Sequence, residues 1–170
     1  MPSVCSQVVE DAEKPFDIWW QDWSCLGTRI AKLSATQQAN HFPSMYLICK
    51  KGELAKCIGK MAKAFPKDFN FTPPTFVLPE AFGNFRTHME GADARGLKPT
   101  FIVKPVGSCQ GKGIFLCRDW RKVDPKASMV AQRYLHKPLL IEGLKFDLRI
   151  YVLVVSVGKA VCVLPPSALY

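Results

Sequence analysis

Lys104-Pro105-Val106-Gly107-Ser108-Cys109-Gln110-Gly111-Lys112-Gly113-Ile114 lies between two runs of strand character, Thr100–Val103 and Ile114–Cys117. A lysine leaving a β-branched strand, then a turn with three glycines, then a second strand, suits the grip of a polyphosphate. Glycines let backbone N–H groups approach phosphate oxygens, and lysine adds a point charge. A Walker-type loop does not fit: it needs Gly, four residues, then Gly-Lys-Ser/Thr opening a helix. Here three residues separate Gly107 from Gly111, Gly113 stands at the Ser/Thr position, and a strand follows. The dinucleotide fingerprint fails for the same reason, since it also opens a helix. What remains is a glycine-rich hairpin laid over phosphates, with an ordinary tight turn as the plain alternative.

Two further clusters stand downstream. Met129-Val130-Ala131-Gln132-Arg133-Tyr134-Leu135 is an apolar strand running into Lys137-Pro138. Such a strand can serve as a hinge whose main chain meets an adenine edge; an interior strand ending at a proline is the bland alternative. Gly143-Leu144-Lys145-Phe146-Asp147-Leu148-Arg149-Ile150-Tyr151 follows. On a strand, alternate side chains share a face, so Lys145, Asp147 and Arg149 are expected on one side and Phe146, Leu148 and Ile150 in the core. Three alternating charges on an apolar strand need solvent, one another or a ligand. Lys and Arg aimed at phosphates would satisfy them, and so would a surface ladder of ion pairs.

Composition bounds the partners. The 170 residues hold 48% hydrophobic and 22% charged side chains, as an ordinary folded protein does. A net charge of +9 favours an acidic partner. The lysines are scattered among apolar periodic segments and no zinc or RNA-binding signature accompanies them, so nucleic acid is not expected. The longest apolar run, Ile150–Val157, is too short to span a bilayer, and no membrane partner is expected. Seven cysteines form no C-x-x-C pair, and the N-terminus lacks a signal peptide's basic start and apolar core; a reducing cytoplasm is the expected compartment.

Elsewhere the chain is read as follows. Residues 1–14 are polar. Pro15-Phe16-Asp17-Ile18-Trp19-Trp20-Gln21-Asp22-Trp23 is dense in aromatics and is expected to pack against a sheet. A helix is predicted over Lys51–Phe65, with Leu54, Cys57, Ile58, Met61, Ala62 and Phe65 on one face and Lys56, Lys60, Lys63 and Lys67 on the other. Pro73-Pro74 breaks any helix, Thr75–Leu78 reads as a strand, and Ala81–Met89 has helical potential. Strands are predicted at 100–106, 113–117, 129–135 and 145–157, with one more at Val161–Leu164. The fold class is α/β in the α+β sense, with a boundary near residue 90.

These residues carry a resemblance. The run Lys104-Pro105 … Gln110-Gly111-Lys112-Gly113-Ile114-Phe115-Leu116, then Gln132–Leu135, then Pro138-Leu139-Leu140-Ile141-Glu142-Gly143-Leu144-Lys145-Phe146-Asp147-Leu148-Arg149, resembles the tubulin tyrosine ligase-like family. Upstream, Asn40-His41-Phe42-Pro43 with Met45-Tyr46, and Phe65-Pro66-Lys67-Asp68 with Asn70-Phe71 and Leu78-Pro79, are similar to its polyglutamylase branch. The resemblance covers roughly residues 38–157. It implies an ATP-grasp fold, incomplete here, with ATP and Mg2+ as cofactors. It also implies a ligase that activates a γ-carboxylate as an acyl phosphate, which an amino acid's amine attacks to form an isopeptide bond. The implied reaction adds glutamate to glutamate side chains in the acidic C-terminal tails of tubulin.

By the same resemblance Lys104 contacts ATP phosphate and Gln110 with Gly111 belongs to the covering loop. Gln132, Arg133, Tyr134 and Leu135 frame the adenine, Lys145, Phe146 and Asp147 bind the nucleotide, and Arg149 faces phosphate or the incoming carboxylate. Implied partners are tubulin, microtubules and glutamate, with the ligase a monomer of the cytoplasm and cytoskeleton, in the cilium, axoneme or basal body. The implied layout is an undetermined segment at 1–37, an N-terminal ligase domain at 38–90, an ATP-grasp central region at 91–157 and a divergent end at 158–170. Two departures stand out. Val106-Gly107-Ser108 replaces the family's usual Asp-Ser-Gly, and the family's metal-binding Asp, Glu and Asn are expected beyond residue 170, leaving no metal ligand here. The chain is therefore expected to be inactive by itself. The alternatives are a non-catalytic microtubule- or nucleotide-binding fragment or pseudoenzyme, and a kinase-like enzyme. The kinase lacks its H-R-D and D-F-G motifs here.

Overall fold

Alternation of side chains along four short strands builds one antiparallel sheet. In the computed structural model, which describes residue 8 and residues 14–20, 30–108, 110–148, 150–154 and 161–164, the chain forms two units, Met1–Tyr46 and Leu47–Tyr170. The second contains β3 (Thr75–Leu78), β4 (Phe101–Pro105), β5 (Phe115–Cys117) and β6 (Met129–Arg133), joined in the order β3-β6-β4-β5 with every neighbour antiparallel. Register sets Phe76 opposite Ala131 and Ala131 opposite Val103. Those residues share one face with Leu78, Met129, Phe101 and Cys117.

That face is the core. Helix α2 (Phe82–Asp93) lays Phe85 and Met89 onto it, and Val123 closes one end behind a 3-10 turn at Trp120–Lys122. Phe85 meets Phe101 edge-on with ring centroids 5.2 Å apart, and both are fully buried. Burying two such rings contributes about 2–3 kcal/mol each. The opposite face carries Thr75, Val77, Val130, Gln132, Ile102 and Lys104, mostly half-buried, and helix α1 (Lys51–Ala64) lies beside it. Gly52 at the start of α1 is buried against Val106 and Val77. This second, polar-bearing face is where a ligand can enter.

Several expectations match. The helix at Lys51–Phe65 is α1, the strand at Thr75–Leu78 is β3, and the strands near 100–106, 113–117, 129–135 and 161–164 are β4, β5, β6 and Val161–Leu164. The seam expected near residue 90 falls inside α2, and β3 pairs with β6 across it.

The strand expected over 145–157 is corrected. β7 (Leu140–Ile141) and β8 (Leu144–Lys145) form a two-residue hairpin whose loop residues Glu142 and Gly143 have φ of 52° and 78°. Positive φ at both loop positions is the geometry that turns a chain straight back. Residues 146–148 then carry no strand, and β9 (Tyr151–Val154) pairs with β10 (Val161–Leu164). Phe146, Leu148 and Ile150, expected in the core, are exposed.

Met61 and Phe65 are also exposed, whereas Leu54, Ile58 and Ala62 of the same apolar stripe are half-buried and line a cleft beside the sheet. Lys56, Lys60, Lys63 and Lys67 face solvent.

In the first unit, β1 (Ile18–Trp19) runs parallel to β2 (Gln38–Ala39), and Gln37 Nε2 donates to Phe16 O at 2.9 Å. Two residues per strand cannot cover an aromatic cluster, so Ile18 and Trp20, expected to be packed, are exposed. Trp23 lies outside the described residues.

Candidate functional site

Helix α1, the Phe69–Thr75 segment and strands β4 and β6 enclose a cleft of about 490 Å³. One wall is apolar: Leu54, Ile58, Ala62 and Phe69. The other is polar and comes from the sheet: Thr75, Lys104 and Gln132. Lys51 stands at the start of α1 and also lines the space, and no aspartate or glutamate is among the described lining residues. Two cations without a carboxylate make the cleft a host for an anion, and the apolar wall gives it room for a flat ring.

Sheet register brings the polar groups together. Thr75 sits directly opposite Gln132, and Lys104 lies two positions along β4 from Ile102, Gln132's partner on the other side. The Lys104 ammonium donates to Gln132 Oε1 at 3.2 Å, Gln132 Nε2 donates to Thr75 Oγ1 at 3.1 Å, and that hydroxyl donates to Pro73 O at 2.8 Å. Burial pushes the Lys104 ammonium below its usual pKa, and the neighbouring Lys51 charge pushes it further. A phosphate would relieve both penalties.

Lys51 has a second task. Its ammonium donates to Pro105 O and to Ser108 O, each at 2.7 Å, tying the root of the glycine-rich loop to α1. Val106 N–H donates to Ser128 O, which pins the same root to the residue preceding β6. Beyond it Gln110, Gly111 and Gly113 adopt φ of 54°, 77° and 71°. A Cβ on Gly113 would come within 2.9 Å of Pro105 Cγ, so that turn requires glycine. Cys109 lies outside the described residues.

The remaining predicted site residues are distributed. Arg133 and Tyr134 are half-buried, and their N–H groups donate to Pro74 O at 2.9 Å and Thr100 O at 2.8 Å. Both are thereby committed within the sheet, which narrows what this hinge offers a base edge. Leu135 is exposed just beyond. Lys145 ends β8, while Phe146 and Asp147 follow it in an exposed stretch; none of the three lines the cleft. Lys145 and Asp147 therefore do not share a face of one strand, as the alternation suggested. Arg149 lies outside the described residues. Among the described residues no group of three or more His, Cys, Asp or Glu is placed to hold a metal ion.

Lys51 and Thr75 are the site residues that sequence reasoning missed. Thr75 was visible only as the first residue of a strand. Lys51 opened a helix and carried no sign of its reach to a loop 54 and 57 positions away. A lysine pair immediately before the small residue Gly52 was the available signal.

Comparison with known proteins places the chain in a family. The family model described as the tubulin-tyrosine ligase family matches residues 29–162. Tubulin polyglutamylase TTLL6 of Homo sapiens is 43% identical over 139 residues, covering 82% of this chain and 15% of that protein. Tubulin polyglutamylase TTLL13 of Homo sapiens is 40% identical over 150 residues, 88% of this chain and 18% of that protein. Tubulin polyglutamylase TTLL7 of Xenopus tropicalis is 38% identical over 146 residues, 86% of this chain and 16% of that protein. The chain thus spans less than a fifth of the length of these relatives. A family match over most of its residues, joined to relatives at this identity, makes the chain a member of the tubulin-tyrosine ligase family.

Proposed function

We propose that this chain is the nucleotide-binding part of an ATP-dependent ligase that adds glutamate to glutamate side chains of tubulin C-terminal tails. The observation that carries the proposal is the cleft with two lysines and, among its described lining residues, no carboxylate, in a member of this family. The fold is read as an incomplete ATP-grasp, with an N-terminal ligase domain at 38–90, a central region at 91–157, and the flanks 1–37 and 158–170 outside both. The cationic donor set suits the phosphates of ATP. It does not suit Mg2+, for which the described lining residues offer no anionic carboxylate beside the two lysines. Metal binding by a complete ligase would therefore fall to residues other than those lining this cleft.

In the proposed mechanism Lys104 neutralises phosphate charge, and Lys51 holds the loop root so that Gln110 and Gly111 cover the nucleotide. Gln132 fixes the Lys104 ammonium, and Arg133 to Leu135 edge the base. Lys145, Phe146, Asp147 and Arg149 belong to the nucleotide site by family resemblance alone, since the first three do not line this cleft. ATP, when bound, supplies the phosphoryl group that activates the acceptor carboxylate. The net charge of +9 suits an acidic tail, which supports tubulin and microtubules as partners; a monomeric enzyme in a cytoskeletal or ciliary setting is part of the same proposal. Among the described residues no helix is long and apolar enough to cross a membrane.

A non-catalytic microtubule- or nucleotide-binding module is the second reading, favoured by the lack of metal-binding clusters among the described residues. Incubation with ATP, Mg2+, glutamate and tubulin, followed by mass spectrometry of the tails, separates the two. Added multiples of a glutamyl mass support a self-sufficient ligase. Unmodified tails with retained microtubule co-sedimentation support the non-catalytic module, and absence of ATP binding overturns the nucleotide reading of the cleft.

A further inference from the structure

The chain of hydrogen bonds from Lys104 to Pro73 has a direction. Threonine carries one hydroxyl proton, and Thr75 spends it on Pro73 O at 2.8 Å. Its oxygen can then only accept, so the NH2 end of Gln132 must face it, at 3.1 Å. The carbonyl end is thereby left facing the Lys104 ammonium at 3.2 Å. Turning the amide over would set donor against donor at Lys104 and bring Gln132 Oε1 against a hydroxyl oxygen whose proton is already used. Both contacts would be lost at once, in a half-buried site where unmatched polar groups are costly.

We propose that Thr75 is a positioning residue: by giving its proton to Pro73 it fixes which end of the Gln132 amide meets Lys104, and so where that ammonium waits for its anion. The use of the ammonium rests on the nucleotide reading given above; the orientation of the amide does not. Thr75→Val keeps the shape and strand preference of the side chain but removes the oxygen, whereas Thr75→Ser keeps the oxygen.

The test compares the full 170-residue chain with both variants in two measurements. The first is the side-chain 15N–1H2 signal pair of Gln132 in the ligand-free protein, identified by its absence from Gln132→Leu. The second is the dissociation constant for ATP with Mg2+ by calorimetry. Thr75→Val should move or broaden the Gln132 pair and weaken ATP binding about ten-fold, the scale of one hydrogen bond to a charged group, while Thr75→Ser restores both. Ligand-free melting of each variant shows that the fold is retained.

An unmoved Gln132 pair in Thr75→Val, or a serine variant as impaired as the valine one, overturns the inference. So does unchanged ATP affinity in Thr75→Val when the wild type binds. If the wild type binds no ATP yet the Gln132 pair moves with valine and not with serine, the nucleotide reading fails and the amide orientation stands.

Discussion

Replacing Lys104 by methionine keeps a long unbranched side chain on β4 and removes one positive charge from the cleft. Two changes then act on the ligand-free protein. Gln132 Oε1 loses its donor, a cost of about 1 kcal/mol for a half-buried acceptor. Against this, a half-buried ammonium beside Lys51 is no longer held in its charged form. The effects oppose each other, so ligand-free melting should change by less than about 4 °C.

Nucleotide stabilisation behaves differently, because a charged contact to phosphate contributes roughly 1.5–3 kcal/mol. At ATP one hundred times the wild-type dissociation constant, stabilisation is about 2.7 kcal/mol; a twenty-fold loss of affinity reduces it to about 1 kcal/mol. Scanning fluorimetry with fixed ATP and Mg2+ should record a rise of roughly 5–11 °C in the wild type and roughly 2–4 °C in the variant. Equal rises in the two proteins refute the reasoning.

The same variant carries a pH signature. Burial and the Lys51 charge depress the folded-state pKa of Lys104 below 10.5, so in the window beneath 10.5 the unfolded chain binds more protons. Wild-type stability therefore gains as pH rises through the folded value, up to 10.5, and the variant lacks that gain. The ligand-free difference between them should shift toward the wild type with rising pH, and a constant difference contradicts the assignment.

Three further outcomes are expected. Phe101→Ala removes a fully buried ring from the edge-on pair with Phe85 and should cost about 3–5 kcal/mol, read as a lower urea midpoint. Gly113→Ala must place a Cβ 2.9 Å from Pro105 Cγ at a φ of 71° and should cost about 1–2 kcal/mol or more, whereas an unchanged melting temperature would mean that the turn is not so constrained. Lys51→Met releases Pro105 O and Ser108 O and should speed amide hydrogen exchange at residues 107–113 by roughly ten-fold, with exchange in the core of α1 unchanged.

The central strands were legible because Phe101–Pro105, Phe115–Cys117 and Met129–Arg133 are largely apolar runs bounded by turn residues. Helix α1 was legible from its 3.6-residue period. The pairing of β3 with β6 was not, since nothing in four residues announces a partner more than fifty positions away. The segment after Pro138 was misread for a local reason. After the two-residue turn Glu142-Gly143 the strand ends at Lys145, whereas the expected strand over 145–157 ran on through residues 146–148. That error placed Lys145 and Asp147 on a shared face that does not exist. Of the site, Lys104 and Gln132 were legible as a strand-end lysine and a hinge glutamine. The cleft that joins them was not, because Lys51 and Thr75 enter it only through the fold.

The central claim for the molecule is an anion held at Lys104 in the cleft between α1 and the sheet. The most direct measurement is titration of ATP with Mg2+ into the 15N-labelled chain, followed residue by residue. Saturable changes at Lys104, Gln132, Lys51 and the loop from Gly107 to Gly113 are expected. No saturable change, or changes confined to surfaces away from these residues, would contradict it.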